Sequence, residues 1–180
     1  MARQPKFRWP DMPTDFFPDG SVDRPAEPDT VARGQLDTDD VRFTGLIGPG
    51  RPDAPDYATE FPYPVEEPML KRGRERFNIY CAVCHGRTGS GDGKVVQRGY
   101  LKPPSYHEKR LRDMPVGRIF QVVTRGYGGM PDYSDQIPVD DRWAIIAYVR
   151  ALQYSQNVPS GDLTDIDRAE LKKAESKRGQ

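Results

Sequence analysis

Two cysteines and a histidine share one short segment, Cys81-Ala82-Val83-Cys84-His85, which constrains the fold more than any other feature of the sequence. Thiols three residues apart lie on one side of a helical turn, where both can form thioether bonds to the vinyl groups of a haem. The imidazole of His85 is then held beneath the iron. A C-x-x-C-H segment is a signal for covalent haem attachment. The sequence therefore predicts one covalently attached haem c, bound through Cys81, Cys84 and His85.

Other uses of the cysteines fit this segment less well. A zinc site needs four ligands, which here would have to be Cys81, Cys84, His85 and His107. Because Cys84 and His85 are adjacent, these four residues do not suit a strain-free tetrahedron. A thioredoxin-type C-x-x-C belongs in a βαβ setting, and no such pattern surrounds it. A disulfide between Cys81 and Cys84 is left open by the short spacing.

A second iron ligand has to come from downstream, and Met130 is the preferred candidate. It lies in Gly128-Gly129-Met130-Pro131. The flexible glycines before it and the rigid proline after it suit a loop that presents a thioether to the haem. Thioether ligation raises the potential of a haem, as a carrier in a high-potential chain requires. His107, which would give a lower potential, Met114 and an open iron position remain as alternatives.

The regular structure predicted around the motif is entirely helical. One helix opens near Pro68, with Leu70, Gly73, Phe77 and Tyr80 on its apolar stripe, and runs into Cys81. A second spans 115–124. A third spans 141–153, with Asp140 as its cap, and a short amphipathic helix is allowed over 163–177. The expected fold class is all-α.

Residues 1–66 differ from the rest in composition. They hold eleven prolines, and thirteen Asp/Glu against seven Lys/Arg, whereas residues 67–156 hold fifteen Lys/Arg against nine Asp/Glu. Scattered aromatic residues argue against a plain disordered tail. We therefore predict an extended Pro-rich arm over 1–66 that lies on a partner, a haem domain over 67–156 and a charged tail over 157–180.

Neither a membrane span nor a secretory signal is visible in the sequence. The longest apolar run, 143–149, is far below the ~20 residues that a bilayer crossing needs. Because haem is normally attached on the far side of the membrane, we expect that a processed leader, or a start upstream of Met1, precedes this sequence. No nucleic-acid-binding motif is present.

The stretch from Gly73 to Gln153 resembles class I cytochrome c. The resemblance rests on Gly73 and Phe77 before the C-x-x-C-H segment, on Met130-Pro131 and on an aromatic-rich last helix. It implies that the first and last helices cross closely, with Gly73 as the gap and Trp143 or Tyr148 as the filling ring. It also implies that a group of downstream residues lines the haem edge or meets its propionates: Arg98, Tyr100, Pro103, Pro104 and Tyr106.

A narrower resemblance covers nearly the whole chain. The segments 74–80, 103–105, 130–133, 136–138 and 141–148, together with 30–36 upstream, look like the mono-haem cytochrome c subunit of bacterial alternative complex III. This resemblance implies a peripheral position on the periplasmic side of the inner membrane, in a quinol-oxidising respiratory complex. Electrons would come from a multi-haem subunit and leave to a soluble carrier or a haem–copper oxidase. Family members are often lipid-anchored through an N-terminal cysteine, which this sequence lacks.

The expected function is single-electron transfer, with no bond chemistry of the chain's own. A cytochrome c carrier, or a subunit of another redox complex such as a dehydrogenase, shares every haem residue and remains the main alternative. A peroxidase would need an open iron position, which Met130 would block. A structural subunit with a vestigial haem is the third alternative.

Overall fold

The computed structural model describes residues 15, 17, 18, 20, 27–31, 39–48 and 55–178. The chain divides into two compact units, Met1–Thr38 and Asp39–Gln180. In the first unit the described residues form tight turns, in which the Gly20 N–H donates to the Phe17 carbonyl at 2.9 Å. Most of the predicted arm before residue 39, including Phe7, Trp9 and Phe16, lies outside the described residues. The extended character and the boundaries of the arm stay predictions.

The described part of the chain is helical, in agreement with the all-α prediction. Within it, strand-like pairing is limited to isolated bridges between Leu46 and Tyr57 and between Tyr127 and Met130. A short 3₁₀ turn covers Val96–Arg98. The helices are α1 Asp40–Thr44, α2 Glu67–Tyr80, α3 Ala82–His85, α4 Lys109–Arg112, α5 Val116–Arg125, α6 Val139–Gln156 and α7 Asp165–Arg178.

Helix α2 lies directly before the C-x-x-C-H segment. Glu66 is its extended cap residue and Pro68 lies in its first turn, where a missing N–H costs nothing. Of the predicted apolar stripe, Gly73 and Phe77 are buried, whereas Leu70 and Tyr80 are half-buried. Gly73 faces α6, where a methyl group at residue 73 would overlap the Ala144 carbonyl. The two helices therefore cross at backbone contact.

Helix α6 begins earlier than the sequence suggested. We expected Asp140 to cap a helix over 141–153, but Pro138 occupies the cap position and the helix begins at Val139. The fixed φ of proline suits a helix start. Asp140 and Asp141 instead lie in the first turn, where negative charge offsets the helix dipole.

An ion-pair cluster joins the two crossing helices at their edge. The carboxylate of Asp141 on α6 accepts from Arg72 Nε at 2.7 Å and from Arg72 Nη2 at 2.9 Å. Arg76 Nε lies 3.2 Å from the same carboxylate. One buried carboxylate thus faces two guanidinium groups of α2.

Two apolar clusters share α6. The first consists of Phe77, Ile137, Ile145 and Val149, and the second of Val116, Phe120, Trp143 and Ile146. Tyr148 belongs to the first, with its ring 5.3 Å from that of Phe77. Trp143 stacks on Phe120 in the second, at 4.5 Å and 18°. Of the two rings expected beside Gly73, Tyr148 occupies that place.

Residues 39–48 and 55–63 pack beside the second cluster. The Trp143 indole N–H donates to the Arg42 carbonyl at 2.7 Å. The Ala58 N–H donates to the Gly45 carbonyl at 3.0 Å, and the Gly117 N–H donates to the Ala58 carbonyl at 2.8 Å. Part of the segment predicted as an arm is therefore built into the second compact unit.

The C-terminal helix α7 matches the amphipathic helix allowed over 163–177. Its apolar residues Ile166 and Leu171 are exposed. None of the described helices combines the length and the apolar character that crossing a bilayer requires.

Candidate functional site

The C-x-x-C-H segment lies at the junction of α2 and α3. Cys81 ends α2, donating its N–H to the Phe77 carbonyl at 2.9 Å. The Cys81 carbonyl accepts from the Cys84 N–H at 3.1 Å and from the His85 N–H at 2.9 Å. Both thiols and the imidazole therefore lie within one helical turn, as the sequence predicted.

The glycine-rich segment 86–93, here called the glycine loop, folds back onto this turn. The Gly91 N–H donates to the His85 carbonyl at 2.8 Å, and the Gly93 N–H donates to the Cys84 carbonyl at 3.0 Å. A methyl group at Gly93 would overlap the Val83 carbonyl, and one at Gly91, whose φ is +78°, would overlap the Pro103 carbonyl. These glycines bring the backbone of the loop, and Pro103 behind it, against the motif.

The two cysteines are free thiols in partly buried positions. Cys81 packs against the Phe77 cluster. Burial raises the pKa of the Cys81 thiol to about 12, with the neighbouring Cys84 adding to the rise. Cys81 is therefore a neutral thiol at physiological pH. The apolar cluster beside it suits the apolar ring of a haem.

His85 has the properties of a neutral iron ligand. Burial lowers the pKa of its imidazole to about 4, so the ring keeps a free electron pair at neutral pH. Its Nδ1 atom is buried and has no hydrogen-bond partner among the residues that the structure describes. Two thiols at thioether spacing and a neutral, unbonded imidazole on the next residue are a donor set that fits haem c.

Met130 lies in a tight turn. The Tyr127 and Met130 backbones exchange two hydrogen bonds of 3.0 Å across Gly128 and Gly129. Gly128 has a φ of +58°, which favours glycine. The Tyr100 hydroxyl lies 3.4 Å from the Gly129 carbonyl and so reaches this turn. The role of Met130 as an iron ligand stays a prediction.

The alternative ligands have other contacts. His107 Nε2 lies 2.7 Å from the Thr88 carbonyl, while its Nδ1 is buried without a partner in the described part of the chain. The Met114 carbonyl accepts from the Arg150 guanidinium. For His107 to bind iron through Nε2, its bond to Thr88 would have to break.

Tyr106 has a closer relation to the motif than the sequence indicated. We expected it to line a haem edge, but its ring stacks on the His85 imidazole with centroids 4.5 Å apart and planes at 12°. Of the other expected edge residues, Arg98, Tyr100 and Pro104 are exposed and Pro103 is half-buried.

Comparison with known proteins points to one family of domains. Residues 68–149 match the family model described as cytochrome c oxidase, cbb3-type, subunit III. A cytochrome bc1 complex cytochrome c subunit of Corynebacterium diphtheriae is 31% identical over 91 residues, which are 48% of this chain and 28% of that protein. The alignment thus spans little more than a quarter of this relative.

A solved structure resembles part of this chain. A chain of the Kuenenia stuttgartiensis reducing HAO-like protein complex is 23% identical, with 55% of this chain and 50% of that chain covered. The TM-score of the two chains is 0.45.

Proposed function

We propose that residues 68–149, which match the family model of cbb3-type cytochrome c oxidase subunit III, transfer single electrons through one haem c attached at Cys81 and Cys84, with His85 as an iron ligand. The observation that carries this proposal is the helical turn that holds Cys81, Cys84 and His85. Cys81 packs there against the Phe77 cluster, and burial lowers the pKa of the His85 imidazole to about 4. When bound, the haem supplies reversible one-electron chemistry at its iron.

The chain's own residues would hold that group. Thioethers from Cys81 and Cys84 would fix its orientation, and the Phe77 cluster would pack against its ring. Two backbone hydrogen bonds close the turn that presents Met130, whose thioether would supply the second ligand. If Met130 binds the iron as well as His85, no position is left for a substrate, and we therefore propose no bond chemistry.

We further propose that the chain is a subunit of a quinol-oxidising respiratory complex of the alternative complex III type, on the periplasmic side of the bacterial inner membrane. The sequence resemblance over segments along the whole chain supports this assignment. Its neighbours would include a multi-haem subunit as donor, and its acceptor would be a soluble carrier or a haem–copper oxidase. It would reach the membrane through the complex or through a lipid anchor.

A second candidate is a subunit of a different redox complex. The relative from Corynebacterium diphtheriae is named as the cytochrome c subunit of a bc1 complex, which favours this alternative. Both candidates use the same haem residues and differ in the proteins that the chain binds.

The haem proposal is tested by absorption spectra of the purified protein, by its intact mass and by a redox titration. We expect c-type bands on reduction, the added mass of one haem, a methionine–iron band in the oxidised form and a clearly positive potential. Met130→Ala should remove that band and lower the potential, whereas Met114→Leu should leave both unchanged. A native protein that has a low potential and no methionine–iron band, and whose spectrum changes in a His107→Phe variant but not in Met130→Ala, would transfer the ligand role to His107.

Assembly is tested by deletion of residues 1–38 from the chain expressed in its own complex. The deletion ends before Asp39 because the second compact unit begins there, and the Arg42 carbonyl is bonded to Trp143 of the second apolar cluster. If residues 1–38 bind partner subunits, the shortened chain should keep its haem spectrum but no longer copurify with the complex. A shortened chain that still copurifies in full would contradict an assembly role for that segment.

A further inference from the structure

The loop that carries Met130 is residues 126–137, here called the Met130 loop, and one side chain of α6 bonds to both of its ends. Arg142 Nη1 donates to the Thr124 hydroxyl, in the last turn of α5, at 2.7 Å. Arg142 Nε donates to the carbonyl of Ile137, the last residue of the loop, at 3.0 Å. Because a guanidinium group is a rigid planar fork, these two bonds fix the distance between the two acceptors.

The guanidinium group of Arg142 is buried without an opposite charge. The residue is only 6% exposed, and no carboxylate pairs with it in the part of the chain that the structure describes. Its other contact is the face of the Phe120 ring, whose centroid lies 5.1 Å from Arg142 Cζ. An apolar side chain would fill this space without the cost of burying a charge, so stability alone does not explain an arginine here.

Backbone contacts relate the base of the Met130 loop to Met130 itself. The Tyr133 N–H donates to the Val123 carbonyl at 3.1 Å, and the Ile137 N–H donates to the Tyr133 carbonyl at 3.0 Å. A methyl group at Gly126 would lie 2.6 Å from the Met130 carbonyl, so the start of the loop touches the residue that it presents. Opening of the base would therefore move Met130.

We propose that Arg142 is a positioning residue for the second iron ligand, closing the base of the Met130 loop so that the Met130 thioether stays at the iron. Arg142 acts through the loop and makes no bond to the haem. This inference rests on the proposed function, in which Met130 binds the iron opposite His85. Without the planar fork the same ligand would lie in a loop that opens more readily.

The test uses the haem-loaded full chain with imidazole as an added ligand. Imidazole binds the oxidised iron only after the Met130 thioether has left it, so its apparent dissociation constant measures how firmly the loop is closed. Hydrogen exchange of the Tyr133 amide reports opening of the loop independently of the iron. The midpoint potential and the unfolding midpoint in denaturant complete the measurements.

Three variants alter the closure, and a fourth is the control. Arg142→Met removes the fork, Arg142→Lys keeps the charge without the fork, and Thr124→Val removes one acceptor. The control is Arg150→Met, since Arg150 is half-buried on the same helix but bonds to the carbonyls of Arg112 and Met114, outside the loop.

Arg142→Met should lower the dissociation constant of imidazole about tenfold or more, because two hydrogen bonds from a charged donor are lost. It should also speed exchange of the Tyr133 amide and lower the potential. Arg142→Lys should resemble Arg142→Met in its imidazole binding, since an ammonium group cannot reproduce the fork, and Thr124→Val should change it less in the same direction. Arg150→Met should lower the unfolding midpoint and leave imidazole binding unchanged.

Two results would overturn the inference. An Arg142→Met protein that loses stability but keeps the native imidazole constant would make Arg142 a packing residue. A native constant in Arg142→Lys would show that the charge, not the closure of the loop, is responsible. Thr124→Val provides the same test if Arg142→Met does not fold. Failure of the proposed function is separately visible, because the unaltered protein would then lack the methionine–iron band before any variant is compared.

Discussion

The backbone of Gly73 lies directly against the carbonyl group of Ala144, so that α2 and α6 cross without any side chain between them. An added methyl group would overlap that oxygen and would lie 3.0 Å from Tyr148 Cβ. The C-x-x-C-H turn follows α2 immediately, so its position relative to α6 depends on this crossing.

Replacing Gly73 by alanine should therefore destabilise the domain. The helices must separate, and overpacking of this kind costs about 1–3 kcal/mol or more, which outweighs the ~1 kcal/mol that alanine gains in helix propensity. Denaturant unfolding of the purified domain measures the loss. Gly161→Ala, at a position with no atom within 4 Å, is the control and should stay near the native value. A Gly73→Ala protein as stable as the native one would contradict the backbone contact.

The glycine loop allows a test that separates backbone strain from close approach. Gly91 and Gly99 both have positive φ, +78° and +95°, so alanine at either should cost about 1–2 kcal/mol. Gly99 has open space around it, but a methyl group at Gly91 would also overlap the Pro103 carbonyl. We expect Gly91→Ala to lower both the free energy of unfolding and the haem-to-protein ratio more than Gly99→Ala. Equal losses would show that strain alone matters.

The bond between Trp143 and the Arg42 carbonyl predicts the stability contribution of the segment before α2. Trp143→Phe keeps an aromatic ring on Phe120 but removes the donor, and a buried acceptor left unpaired costs about 1–3 kcal/mol. The control is Tyr154→Phe, which removes an exposed bond to Asp162 and should change stability by less than about 0.5 kcal/mol. Comparable effects in the two variants would mean that the bond between Trp143 and Arg42 contributes little to stability.

The basic charge of residues 67–156 predicts salt-sensitive electron transfer to an acidic carrier. Electrostatic steering raises association rates by about tenfold or more, so the second-order rate should fall as ionic strength rises. Lys102→Glu, with a side chain beside Gly91 of the loop, should slow the reaction, and Lys173→Glu on α7 should not. Stopped-flow reduction of the carrier measures both. A rate that is flat with salt would contradict docking through basic residues.

The helices were largely predictable because their signals are local. Apolar spacing and a first-turn proline located α2 and α5 to within one residue of their observed starts. The start of α6 was misplaced because Asp140 resembles a cap, whereas Pro138 already fixes the backbone that a helix start needs. Helix α1 was missed, although Asp39 as an N-cap and Gly45 as a left-handed C-cap were both present in the sequence.

The contacts around the site were predictable only in part. The spacing of Cys81, Cys84 and His85 is itself a local signal, and the structure has them on one turn. The Tyr106 stack joins His85 to a distant residue, and nothing in the spacing of aromatic residues distinguishes it from ordinary core packing. The backbone hydrogen bonds that join Gly45, Ala58 and Gly117 are equally long-range. Because no local signal indicates them, the whole of 1–66 was assigned to an arm.

The Trp143–Arg42 bond joins residues 101 positions apart, which has a consequence for the order in which the chain acquires its structure. Arg42 leaves the ribosome long before Trp143 does, so α1 has no place to dock while α2, α3 and the glycine loop are being made. The motif turn, by contrast, closes through bonds between residues fewer than ten positions apart. During synthesis the cysteines can therefore take up their local geometry before α1 can dock.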